Sequence, residues 1–176
     1  RNNFFLYQAM PDFANKEWST KRYHPYFETG PFLNQAPKYR QIFWEDVLGK
    51  FEDPYLPPNP RSKKVYDEVL WTGYEVVLDV YPELIAPGVL LIPKDILEGE
   101  RRPVVVAQHG RNGVPQTLIE GNTSYYDMAA KLADQGFVVY APYGLFSGED
   151  RYRWLDRKAN TLKKTLFSFM VDEYMF

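Results

Sequence analysis

The spacing of apolar residues changes period along this chain, and each change marks a different kind of element. Between Pro37 and Gly49 the period is helical. Tyr39, Phe43 and Val47 fall at i, i+4 and i+8, with Trp44 and Leu48 beside them on one stripe. Pro37 suits a first turn, and Gly49 suits a left-handed stop after the last one. From Lys64 to Pro93 the period is two. Tyr74, Val76, Leu78 and Val80 share one face, and Glu75, Val77, Asp79 and Tyr81 the other. One face is mostly apolar and the other mixed, which predicts a half-covered antiparallel strand with Gly88–Ile92 as its partner. Val104-Val105-Val106-Ala107 is then apolar at every position, the pattern of a strand buried on both faces in a parallel sheet.

A polar glycine loop follows that strand. The stretch from Ser124 to Gln135 predicts a helix, with Tyr125, Ala129, Leu132 and Ala133 on one side. Thr123 or Ser124 can cap it, and Gly136 can end it. Phe137–Pro142 predicts a second buried strand, so strand, helix and strand form a right-handed βαβ unit. A charged loop from Glu149 to Arg157 leads to a last helix from about Asn160, with Leu162, Leu166, Phe169, Met170 and Glu173 at its spacing. The predicted fold class is α/β: an antiparallel strand pair feeding a parallel βαβ unit, with too few parallel strands to complete a doubly wound sheet.

The N-terminal part reads differently. Residues 1–35 are rich in aromatics, Pro and Asn without sustained periodicity, an irregular arm that packs on something larger. Pro54-Tyr55-Leu56-Pro57-Pro58-Asn59-Pro60 can neither continue a helix nor enter a central strand, and reads as a stiff linker. The expected organisation is an arm with one helix and a linker over 1–60, then the α/β part over 61–176.

Composition narrows the function classes. Hydrophobic residues make up 45% and charged residues 25% of the 176, the balance of a globular protein. A net charge of −2 gives no reason to expect a nucleic-acid or membrane partner. No apolar run approaches the roughly 20 residues that span a bilayer. There is no cysteine, so disulfides and Cys-based metal sites are excluded. The compartment stays open, with a lean to secreted or periplasmic. The two histidines, His24 and His109, restrict the available chemistry.

His109-Gly110 ends a strand and opens a loop containing Arg111, Asn112 and Gly113. Ligands of open α/β sheets sit at such strand ends. A turn there can aim backbone N–H groups at a developing oxyanion. The plainer reading is a tight turn in which His109 bonds only nearby backbone. Asp46, Glu52 and Asp53, and Glu149-Asp150, lack any metal-loop spacing and read as solvated surface, so no metal and no cofactor are expected. The run Arg151-Tyr152-Arg153-Trp154 mixes cations with aromatics. Asn112, Arg151 and Trp154 are candidates for substrate-side contacts, or the run packs with Arg stems on aromatic faces.

The succession Tyr74–Val80, Gly88–Pro93, Arg102–Gly110 and Gly136–Pro142 resembles the opening of α/β-hydrolases, in particular the bacterial esterase-like branch of acetyl xylan esterases, dienelactone hydrolases and prolyl oligopeptidase-type peptidases. About Lys64 to Phe169 is covered. The resemblance implies a serine hydrolase in which the Arg111 backbone N–H forms half of an oxyanion hole, with Gly110 and His109 shaping the turn. It places the nucleophile in Gly-x-Ser-x-Gly on a later strand–helix turn, a motif this chain lacks. Ser147, in Gly144-Leu145-Phe146-Ser147-Gly148, has the wrong spacing and follows a strand one too early. Ser168 falls inside the last predicted helix. Neither histidine matches the late loop where the family carries its base. The expectation is therefore the N-terminal part of an acyl or acetyl esterase, on a small ester or an acylated carbohydrate, with no catalytic residue in this chain. Its partner would be the missing C-terminal half. That order leaves Val104–Ala107 as an exposed sheet edge. Two alternatives remain: a non-catalytic carbohydrate-binding or structural module, and a catalytically dead homologue.

Overall fold

The computed structural model describes residues 29–121, 124–146 and 151–175. Most of the predicted arm, with His24, lies outside them, as do Thr123 and Ser147. The chain divides into two compact units. One takes the chain up to Lys50 together with Arg157–Thr165; the other takes Phe51–Asp156 and the chain from Leu166 on.

In the first unit, helix α1 (Thr29–Ile42) continues as a wider π-helical stretch over Phe43–Leu48. It begins earlier than the periodicity predicts, and Pro37 lies inside it rather than in its first turn. Gly49 ends it as expected, at φ +85°. A side chain there would run into the Lys163 carbonyl, so this position needs glycine for space as well as for conformation. The expected apolar stripe does not form a core among the described residues: Phe43 and Val47 are 53% and 44% exposed.

The second unit is built on a five-stranded sheet: β1 (Arg61–Asp67), β2 (Trp71–Tyr81), β3 (Leu84–Pro93), β4 (Val104–Val106) and β5 (Val138–Pro142), in the order β1-β2-β3-β5-β4. Only β4 and β5 pair in parallel. Gly88 faces Val76 and Ile92 faces Thr72, so the predicted antiparallel pair is present. The proline-rich stretch lies along the end of β2. Leu56 N donates to Val80 O at 2.9 Å and Asp79 N donates to Pro58 O at 2.8 Å, the edge position that proline tolerates.

Two short helices follow β4: α2 (Gln116–Ile119) and α3 (Met128–Asp134). The α3 helix is shorter than predicted, because Tyr126 and Asp127 take left-handed conformations at φ +53° and +55°. Its apolar side goes where the spacing puts it. Ala129 and Ala133 join Trp71, Val89, Leu91, Ala107, Leu118, Val139 and Ala141 in one buried cluster. Strand alternation sends Tyr140 to the opposite face. There its ring lies against Gly88, where an added side chain would overlap it.

The last third differs from the sequence reading. Arg151–Thr161 is a helix, α4, rather than a charged loop; a turn at Leu162 and Lys163 separates it from α5 (Leu166–Tyr174). The β4 strand also differs. Ala107 is buried, but Val104 and Val106 are 63% and 59% exposed. They share the face opposite Ala107 at the end of the sheet, so β4 is a half-covered edge and not a doubly buried strand. No described helix is long and apolar enough to cross a membrane.

Candidate functional site

The C-terminal ends of β4 and β5 bring the sequence-predicted turn beside a cavity. Gly113 N donates to Gly110 O at 3.0 Å, closing a four-residue turn over Gly110, Arg111, Asn112 and Gly113. The left-handed position is Asn112, at φ +62°, and Arg111 has an ordinary negative φ, the pattern of a type II turn. Asparagine accepts this conformation more readily than most residues. Gly113 is needed for another reason: a Cβ there would lie 2.8 Å from both Cβ and Nδ1 of His109.

His109 is buried, 3% exposed, and its Nδ1 lies 2.9 Å from Gly110 O. A carbonyl only accepts, so Nδ1 is the donor in this contact. Nε2 has no hydrogen-bond partner among the described residues. The ring packs between Gly113 and Gly144, where a Cβ would lie 3.1 Å from His109 Cε1. His109 thus holds the turn to the loop after β5. The Gly110 N–H donates to Tyr125 Oη at 2.6 Å and is occupied. Arg111 and Asn112 are exposed, and no described protein group accepts the Arg111 N–H.

On the other side, Arg111 lies 5.7 Å from the Tyr152 ring centre, and Arg153 5.8 Å, so both cations lie against one aromatic ring. A cavity of about 440 Å³ opens beside them, lined by Tyr143, Gly144, Arg151, Tyr152 and Glu173 among others. Gln116 Nε2 donates to Tyr143 Oη at 2.7 Å, tying α2 to the cavity wall. Glu173 is 4% exposed, and burial raises its carboxyl to about 8. Burial likewise raises Tyr140, to about 12, with the nearby Glu173 adding to it.

Of the predicted contacts, Arg151 lines this cavity. Asn112 stays in the exposed turn, and Trp154 is 65% exposed and away from the cavity wall. Ser168 is buried within α5, where no nucleophile turn can form. No three His, Cys, Asp or Glu side chains cluster as metal ligands among the described residues. The sequence reading missed Tyr125, Tyr143 and Tyr152, whose roles depend on contacts distant along the chain. Glu173 had a signal, a charged residue at a core position of an apolar helix stripe.

The fold built in this way is α/β-hydrolase-like. It overlays a protein from Bacteroides fragilis described as a putative acetyl xylan esterase with a TM-score of 0.65, at 17% identity, over 82% of this chain. The chain spans 42% of that protein's length. Acetyl xylan esterase 1 from Thermoanaerobacterium overlaps more weakly, with a TM-score of 0.49 at 14% identity, covering 79% of this chain and 43% of the other. By sequence, no family model and no curated protein matches the chain.

Proposed function

We propose that this chain is the N-terminal part of a serine carboxylic-ester hydrolase acting on acyl or acetyl esters, carbohydrate esters among them. The observation that carries the reading is the Arg111 backbone N–H, without an acceptor among the described residues in the exposed turn at the end of β4. A donor fixed there stabilises the charge that forms on a carbonyl oxygen under attack. In this reading Arg111 N–H is half of an oxyanion hole, and His109 and Gly110 hold the turn. Nucleophile and catalytic histidine come from a C-terminal half that pairs along the open edge of β4. The overlap with 42% of a longer esterase-like structure supports it, as do the exposed Val104 and Val106.

Co-expression with the segment encoded downstream tests the proposal. The expected result is a soluble complex that hydrolyses acetyl esters and is inactivated by a serine-directed fluorophosphonate. A stable, soluble monomer that binds glycans and gains no activity from any downstream segment would instead identify a binding module.

A further inference from the structure

The cavity at the strand ends contains a carboxyl group that the oxyanion turn does not use. Glu173 lines it, is 4% exposed, and its Oε2 has no hydrogen-bond partner among the described residues. Arg151, an exposed residue, also lines the cavity and forms no ion pair with any described carboxylate. The same lining includes Pro87, Leu145 and Leu155, which are apolar. A buried carboxyl with no cation beside it keeps its proton and becomes a donor. The cavity thus offers a planar cationic fork, a neutral acid O–H and a small apolar wall. A carboxylate matches the first two, because each of its oxygens accepts and the guanidinium geometry is complementary to it. A cation would face Arg151 unfavourably.

We propose that this cavity binds a short-chain carboxylate, its oxygens held by the Arg151 guanidinium and the Glu173 carboxylic acid and its alkyl part against Leu145, Leu155 and Pro87. The proposal deepens the ester-hydrolase reading and takes its biological meaning from it, since such an acid is a product of ester hydrolysis. The other polar groups near Glu173 are Tyr140 on β5 and its own neighbour Tyr174, with Tyr143 and Tyr152 in the same cavity lining. His109 sits behind Gly144. Asp172 is turned away, accepting from Tyr55 at 2.8 Å and Tyr81 at 2.9 Å.

Titration of the chain with sodium acetate, followed by NMR at about pH 6 and about pH 9, tests the site. Saturable shifts at the cavity residues are expected at the lower pH. Affinity should be about tenfold weaker at the higher pH, where about one Glu173 in ten keeps its proton. Glu173→Gln, which donates at both pH values, should bind acetate equally at both. Arg151→Gln should weaken binding about tenfold at either pH. Absence of saturable shifts at the lower pH overturns the proposal. So does equal wild-type affinity at both pH values, a comparison that needs no variant. Binding is read without turnover, so acetate binding by a chain that never supports hydrolysis would sink the hydrolase reading alone. Hydrolysis by a complex whose cavity ignores acetate would sink this one alone.

Discussion

At the scale of the residue, the turn after β4 rests on close approach more than on glycine's freedom of φ. Gly110 has no positive φ; the left-handed residue is Asn112, and Gly113 is required because His109 presses against it. Gly113→Ala should therefore push the imidazole aside and destabilise the fold by about 1–3 kcal/mol in urea unfolding; unchanged stability would show that the ring has room to move. Arg111 occupies the second position of the turn, where proline is well accommodated. In a reconstituted complex, Arg111→Pro removes the N–H while keeping the turn, and kcat should fall by about 100- to 1,000-fold. Arg111→Ala keeps the N–H and should stay within a few-fold of the unmodified complex. Equal losses in the two variants would assign the effect to the side chain. The turn was legible as a glycine loop at a strand end. Its partners Tyr125 and Tyr152 were not, because each meets the turn through tertiary contacts that no spacing encodes.

At the scale of the element, the sheet was readable and the helices less so. Period-two alternation in β2 and the flanking Gly88 and Pro93 pointed to an antiparallel pair, which the structure contains; its register comes from the structure alone. β4 lies at the end of the sheet as the family order implies, but its all-apolar run overstated its cover, since Val104 and Val106 are exposed on one face. The α4 helix was read as a loop because its charges conceal that Arg, Leu, Lys and Ala are strong helix formers, with no Pro or Gly to interrupt them. The exposed face of β4 has a direct consequence. Val106→Lys places a charge on the open edge and should lower self-association, seen as a smaller weight-average mass in sedimentation. An unchanged mass distribution would mean that this edge is not where molecules meet. In the co-expressed complex the same substitution should weaken assembly.

At the scale of the whole molecule, the described residues make two units, of which one holds the mixed sheet and the candidate site entire. The absence of cysteine ruled out disulfides and Cys-based metal sites, while the net charge of −2 pointed to no class of partner. The fold class was legible through the order of periods, since each period change corresponds to a change of layer. The buried Glu173 also leaves its mark on the whole fold. Its carboxyl titrates near 8 in the native state and at the ordinary carboxylate value when unfolded, so the native state binds the extra proton. Between those two values stability should fall with rising pH by about 1.4 kcal/mol per unit. Urea unfolding across that range should show the slope, and Glu173→Gln should abolish it. On the acid side, the cations beside Asp67 and Asp79 hold both carboxyls at about 2, so their contribution is lost only as the pH falls towards that value. The central claim is that this chain supplies an oxyanion donor but no nucleophile, and its most direct test is turnover of p-nitrophenyl acetate by this polypeptide alone. The account predicts a rate indistinguishable from buffer. Turnover that a fluorophosphonate abolishes would contradict it, because the nucleophile would then lie within the chain.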